Sequence, residues 1–127
     1  MTFLRTALAF VLLNLPLHAQ PNPTASDAWA QISGAAVAVY ATVNNPSMYD
    51  VYIVSAKSDA AAKIELLNGE KPATSITVPA YGSAELKPGA MFVRLSELKG
   101  ELKAGDEVKL TLETDGGIAI AIAAILK

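Results

Sequence analysis

The C-terminal part of the chain has the most regular alternation of hydrophobic and polar residues. Val108, Leu110 and Leu112 alternate with polar residues, which is the period-two pattern of a half-buried strand. Isoleucine and alanine then alternate over 118–123, and Asp115-Gly-Gly117 supplies a tight turn between the two runs. The last apolar run, 118–126, is far shorter than the roughly 20 residues that a membrane helix needs. We therefore predict a hairpin of two strands.

Short apolar runs separated by turn residues make up most of the remaining chain. Asn, Pro and Gly interrupt these runs at close intervals, and no long segment has the 3.6-residue period of a helix. A short helical turn is expected at 96–99. The pattern indicates a single all-β domain built as a sandwich or barrel. The other predicted strands are 36–43, 51–54, 62–67, 74–78, 83–86 and 91–95.

The N-terminus has the features of an export signal. Arg5 precedes an apolar stretch at 6–17, and Leu17-His18-Ala19 is a suitable cleavage site. We predict a cleaved signal peptide at 1–19, a flexible tether at 20–26 and a domain at 27–127. No cysteine follows the cleavage region, so we expect no lipid anchor at that point. The predicted location is the periplasm or the extracellular medium.

The charged residues are few and scattered. Arg5 is one of ten basic residues, so cleavage leaves nine against twelve acidic residues. No basic stripe is visible, which disfavours nucleic acid and anionic membranes as partners. We also expect no membrane insertion of the mature chain.

The predicted mature chain lacks both histidine and cysteine. The one histidine, His18, lies in the predicted signal peptide, and cysteine is absent from the sequence. These absences remove the Ser-His and Cys-His pairs of nucleophilic catalysis, the usual zinc ligands and the commonest general base. We therefore do not expect an enzyme. A hydrolase that uses carboxylates stays open, although no paired arrangement of carboxylates is visible.

Several motifs, taken in order, resemble one family. The first of these motifs is Asp27-Ala-Trp29 near the predicted mature N-terminus, Tyr40, Asn44-Asn45 and Asp50 follow, and the last is the strand motif VKLTL at 108–112. Their order and spacing resemble the PCu(A)C-type periplasmic copper chaperones over essentially the whole mature chain. The intervening motifs are KIEL at 63–66, VPA at 78–80, ELKPG at 85–89 and LKGELKAGD at 98–106.

The resemblance implies a cupredoxin-like antiparallel β-sandwich of Greek-key type that binds Cu(I) at one end. Family members use a histidine, a methionine on a following hairpin and a downstream His-x-Met pair, which suit soft Cu(I). In this sequence the first position falls on Leu67, and the pair falls on Phe92 and Arg94. The hairpin between Leu67 and Val78 is shortened and has no methionine. The usual ligands are therefore missing, and we predict no metal site at these positions.

The remaining candidate residues have a functional and a structural interpretation. Leu67, Phe92 and Arg94, with Met48 and Tyr49, could form an interaction surface. Alternatively, Leu67 and Phe92 fill the space left by the metal. Met48 is a weak candidate metal ligand, whereas Met91 precedes Phe92 in a strand and is expected in the core. The large aromatics Trp29 and Tyr40 are also expected to serve the core rather than a stacking surface.

Three acidic residues, Asp106, Glu107 and Asp115, allow a calcium site to be considered. Their spacing fits no known calcium loop, and Asp is common in turns because its side chain bonds to nearby backbone. We interpret them as turn residues.

Two functions follow as hypotheses. The first is a non-catalytic binding or assembly module, related to copper chaperones, that binds another periplasmic protein and needs no cofactor. The alternative is a working copper carrier for oxidase assembly, which would hold Cu(I) with Met48 and oxygen donors or with ligands from a partner chain.

Overall fold

The computed structural model describes residues 22–127, which form ten strands and no helix. No segment of this part of the chain is therefore a helix that could cross a membrane. The helical turn expected at 96–99 is wrong, since the eighth strand continues to Leu98. The strands are β1 Thr24–Ser33, β2 Ala36–Asn44, β3 Val51–Lys57, β4 Ala61–Asn68, β5 Lys71–Pro72, β6 Ile76–Val78, β7 Ser83–Leu86, β8 Met91–Leu98, β9 Glu107–Thr114 and β10 Ala119–Leu126.

The strands form one continuous sheet that curls around the core. Its order is β5-β4-β8-β2-β1-β10-β9-β3-β6, and β7 pairs with the C-terminal half of β2. Every pairing is antiparallel except that of β1 with β10, which is parallel. The parallel pair joins the two halves of the sandwich, so the sheet is mixed rather than purely antiparallel.

The start of the domain differs from the predicted boundary. The first strand begins at Thr24, which pairs with Asn44. Residues 24–26, assigned to the tether from sequence, are thus part of the sheet. The register shifts between Ser26 and Trp29, where Asp27 has a left-handed φ of 53°. The predicted signal peptide, 1–19, lies outside the described residues.

The main core lies on the inner face of the curled sheet. Val37, Val39 and Val43 of β2 point into it, and Leu110, Leu112, Ile120 and Ile122 fill it from the opposite half. This is the outcome of the alternation in the sequence, since every second residue of a strand points to the same face. Without disulfides, burial of these side chains is the main force that stabilises the domain.

The second strand, β2, is unusual because both of its faces are covered. Ala38 and Tyr40 alternate with the core valines and are only 5% and 6% exposed, although neither belongs to the main core. A strand with one face in solvent would leave these residues open. Another group of side chains therefore covers the outer face of β2.

Candidate functional site

The outer face of β2 is covered by an aromatic row. The Trp29 and Tyr40 rings lie with centroids 4.5 Å apart and planes tilted by 39°, and Tyr40 lies 5.9 Å from Phe92 at 43°. Cross-strand pairing brings the three rings together, since Trp29 pairs with Tyr40 and β8 lies on the other side of β2. At the far end, the Lys127 ammonium group lies 4.7 Å from the Trp29 ring centroid, within the range of a cation–π contact.

Leu67 completes this group of side chains. It pairs directly with Phe92 across β4 and β8, so both side chains project from the outer face. Leu67 is only 1% exposed, yet it is separate from the main core. We call Trp29, Tyr40, Leu67 and Phe92 the outer cluster. The sequence left two interpretations of Leu67 open, an interaction surface or a filler of the space left by the metal, and its burial in this second, smaller cluster favours the filler.

Arg94 lies beside the outer cluster and is held by a carboxylate. It pairs with Glu65 across β4 and β8, and its Nη2 and Nε donate to the same Oε1 at 3.0 and 3.3 Å. Both side chains are partly exposed, so the pair contributes at most about 1 kcal/mol to stability. Its main effect is to orient the guanidinium group on the outer face.

The hairpin of β4 and β5 forms one wall over this face. Its turn consists of Gly69 and Glu70, and Gly69 has a φ of 66°, a conformation that glycine adopts without strain. The Gly69 N–H donates to the carbonyl of Ala90 at 2.9 Å, which fixes the turn next to the start of β8. The hairpin has a two-residue turn and carries no methionine.

A cleft of about 400 Å³ lies between this hairpin and that of β1 and β2. Burial raises the pKa of Tyr40 above its ordinary value, so its hydroxyl stays protonated at neutral pH. A larger and more open groove of about 510 Å³ lies over β3, β9 and β10 and includes none of the predicted site residues. The cleft is lined by Ser33 and Ala36, by Gly69 and Glu70, and by Ala38, Tyr40, Phe92 and Arg94.

Met48 and Tyr49 occupy a different setting, the loop between β2 and β3. They are 51% and 65% exposed. Tyr81, on the neighbouring loop between β6 and β7, is 73% exposed and has a left-handed φ of 57°. Its backbone N–H donates to the carbonyl of Ser47 at 3.0 Å, which links the two loops.

Asn45 fixes the backbone of these loops. It is 1% exposed, and its amide nitrogen lies 2.8 Å from the carbonyl oxygen of Tyr49 and 3.0 Å from that of Val78. Its side-chain oxygen accepts from the N–H and the hydroxyl of Ser47 at 3.0 and 2.7 Å. A buried amide with all its groups satisfied orders the surrounding backbone. In the sequence Asn44-Asn45 is only a motif, and no local pattern indicates this role, because the partners at Val78 and Pro79 lie more than 30 residues away.

The three positions to which the resemblance assigns copper ligands carry side chains that offer no donor for Cu(I). Leucine and phenylalanine offer no donor atom, and the arginine is a permanent cation paired with Glu65. Within residues 22–127 no group of three His, Cys, Asp or Glu side chains is placed to hold a metal ion. Met91 is partly buried and packs against the main core, as predicted.

The acidic residues considered for calcium have structural partners. Asp106 accepts from the Lys103 N–H at 3.0 Å, and Asp115 accepts from the Tyr52 N–H at 3.4 Å. Glu107 lies 3.7 Å from the Lys109 ammonium group. The geometry supports the interpretation of Asp106 and Asp115 as turn residues, whereas Glu107 is the first residue of β9 and not a turn residue.

The chain is similar to named proteins over most of its length. Residues 24–125 match the family described as "Putative lipoprotein LpqE-like". A relative from Leifsonia xyli subsp. xyli (strain CTCB07) is named "Putative lipoprotein Lxx21020". It is 28% identical over an alignment 145 residues long, which covers 96% of this chain and 87% of the relative.

Solved structures share the fold. The copper-bound PCuAC domain from PmoF2 matches with a TM-score of 0.75 at 16% identity, over 86% of this chain and 95% of that domain. The apo PCuAC domain from PmoF1 matches with a TM-score of 0.74 at 18% identity, over 86% of this chain and 96% of that domain. The copper(I)-bound DR1885 from Deinococcus radiodurans matches with a TM-score of 0.64 at 28% identity, over 84% of this chain and 75% of that protein. The chain therefore belongs to the LpqE-like family and has the predicted cupredoxin-like fold of PCuAC copper-chaperone domains.

Proposed function

We propose that this protein is an exported, non-catalytic binding module of the PCuAC type that has lost its Cu(I) site. The observation that carries the proposal is the packing at the family's ligand positions. Leu67 is 1% exposed and pairs with Phe92, whose ring lies 5.9 Å from that of Tyr40. Arg94 is paired with Glu65. Apolar and ion-paired side chains occupy the positions where donor atoms are needed.

The donor inventory of the domain supports the loss of the site. Cu(I) prefers thioether, thiolate and imidazole ligands. Residues 22–127 contain two methionines and neither histidine nor cysteine. Met91 packs against the main core while Met48 lies in an exposed loop. One accessible thioether is too few ligands for a closed Cu(I) site.

The binding role rests on the surface that remains. Met48 and Tyr49 are exposed large side chains on a backbone that Asn45 holds in place. Phe92 and Arg94 are partly exposed and lie above buried Leu67. Rigidly held aromatic and arginine side chains are the residues that most often dominate protein interfaces. The proposed partner is another exported protein, since the predicted signal peptide at 1–19 sends this chain out of the cytoplasm.

Titration of Cu(I) into the exported protein, against a competing chelator, tests the proposal. The protein is purified from the periplasm or medium, and its mass shows whether cleavage follows Ala19 or Gln20. We expect no binding tighter than the chelator, with Met48→Ala indistinguishable from the natural sequence. Stoichiometric binding that Met48→Ala abolishes would refute the loss of the site. That result would support the copper carrier, which has one observation in its favour, the 51% exposure of Met48.

A rebuilt site provides the matched positive control. The triple variant Leu67→His, Phe92→His and Arg94→Met restores the donor types that the family resemblance implies at these positions. We expect this variant to bind Cu(I) at least about tenfold more tightly than the natural sequence, because imidazole and thioether groups replace groups without donors. Binding by both proteins, or a gain smaller than this, would show that packing at these positions is not what excludes the metal.

A further inference from the structure

The cleft beside the outer cluster contains a polar group without a partner. Tyr40 is 6% exposed and lines the cleft, and its hydroxyl makes no hydrogen bond to any group within residues 22–127. Such a hydroxyl is available to donate a hydrogen bond to a ligand that enters the cleft.

Arg94 supplies a second donor to the same cleft. A guanidinium group has five N–H donors, and the contact with Glu65 engages only Nε and Nη2. Its side chain is 42% exposed and it lines the cleft together with Tyr40. Glu65 fixes the orientation of the guanidinium group, so a further acceptor would meet a donor that is already in place.

The remaining lining residues suit a short stretch of polypeptide. Ala36 and Ala38 leave room above β2, and the ring of Phe92 adds an apolar surface. A volume of about 400 Å³ lies in the range of ordinary ligand sites. Glu70, on the wall formed by the β4–β5 turn, is the one carboxylate of the lining.

We propose that this cleft binds a peptide carboxylate, through the Tyr40 hydroxyl and the Arg94 guanidinium group, with the peptide backbone over Phe92. The inference deepens the proposed function, on which it rests, because it names the chemical group of the partner that the module recognises. Both residues line the cleft, and both can donate to a carboxylate at neutral pH, since arginine is always charged and burial keeps the Tyr40 hydroxyl protonated by raising its pKa.

Substitution of Glu70 tests the sign of the charge on the ligand. Its carboxylate opposes an anionic ligand by Coulomb repulsion, and Glu70→Gln should strengthen carboxylate binding about twofold. A cationic ligand would instead depend on Glu70, and the same substitution would weaken its binding. The direction of this single effect separates the two ligand charges.

The experiment is an NMR titration of the ¹⁵N-labelled domain with three peptides. The first is N-acetyl-trialanine with a free C-terminal carboxylate, and the second is its C-terminal amide. The third is N-acetyl-Ala-Asp-Ala amide, which has only a side-chain carboxylate. We expect the first to bind with a Kd of about 1 mM, with shifts at Gly69, Phe92 and Arg94, and the amide to bind at least tenfold more weakly. If the third peptide binds as tightly as the first, the carboxylate of an acidic side chain serves as well as that of a chain terminus.

Substitutions then assign the two donors. We expect Tyr40→Phe to weaken binding about fivefold, the equivalent of one hydrogen bond, and Arg94→Gln to weaken it about tenfold, since a charge-assisted bond is lost. Tyr52→Phe is the matched control, because it removes a partly exposed hydroxyl from β3, a strand that contributes no residue to the cleft, and should change nothing. Tyr40→Phe keeps the ring and therefore keeps the outer cluster folded, which the dispersion of the spectrum verifies.

Equal binding of the acid and the amide, or tighter binding by Arg94→Gln, would overturn the carboxylate assignment. Unchanged binding by Tyr40→Phe would do the same for the role of its hydroxyl. Neither outcome touches the loss of the copper site, which depends on the Cu(I) titration alone. Conversely, Cu(I) binding with normal carboxylate binding would contradict the proposed function and leave the cleft assignment in place.

Discussion

The five residues predicted as one interaction surface belong to two regions with opposite construction. Leu67, Phe92 and Arg94 project from paired strands, where the side chains themselves are fixed by packing and by the contact with Glu65. Met48 and Tyr49 stand on a loop, where a buried amide fixes the backbone and the side chains extend into solvent. The first region is stabilised by its side chains, and the second presents side chains on a backbone that another residue stabilises.

Under the proposed loss of the metal site, this difference gives a physical reason why the fold persists. A functional site can change or disappear while the fold that carries it stays the same. A metal site near the surface leaves unfilled space when its ligands go, and close packing of that space restores dispersion contacts. Leu67 and Phe92 supply such packing, so this region contributes to folding. The loop gains nothing from its exposed side chains and stays free to contact a partner.

The largest expected effect is on the outer cluster. Leu67→Ala should lower the free energy of unfolding by about 3 kcal/mol, as for a leucine of an ordinary core, because Leu67 is 1% exposed. Urea denaturation measures the free energy of unfolding of this variant and of Leu95→Ala, a matched substitution in the main core. A loss below about 1 kcal/mol would mean that the outer cluster is loosely packed and contributes little to the fold.

Removal of the buried amide should have a smaller but substantial effect on the loop region. Asn45→Ala removes the amide that donates to the carbonyl oxygens of Tyr49 and Val78 and the oxygen that accepts from Ser47, which should cost about 2 kcal/mol. Hydrogen exchange should also accelerate at the N–H of Tyr81, which donates across the two loops. The neighbouring variant Asn44→Ala is the control, since its amide makes only an exposed 3.3 Å contact with Ser26. Equal losses for both variants would contradict the role assigned to Asn45.

The smallest expected effect on stability is at the exposed loop side chains. Met48→Ala and Tyr49→Ala should each change the free energy of unfolding by no more than about 0.5 kcal/mol, since both side chains extend into solvent. The same denaturation series measures this. A loss of unfolding free energy comparable to that of Leu67→Ala would show that the loop side chains stabilise the fold as those of the outer cluster do, which would contradict the difference between the two regions.

Alternation of residue type was enough to predict most strands and the all-β class. The segments at 108–112 and 118–126 became β9 and β10, because a strict period of two admits only one face for the core. The first strand, β1, was not predicted. Its sequence has no alternation, and a register shift with a left-handed Asp27 interrupts it. Such a strand forms because β2 and β10 pair with it on both sides.

The sequence by itself determined that residues 22–127 contain neither histidine nor cysteine, since these residues can be counted without a structure. It also determined the period that places Leu67 and Phe92 on strands. Only the tertiary structure decided that Leu67 is buried, that Tyr40 lies between two aromatic rings and lacks a hydrogen-bond partner in the described chain, and that Glu65 holds Arg94. These features depend on cross-strand neighbours far apart in the chain, and pairing between distant strands is information that no local pattern carries.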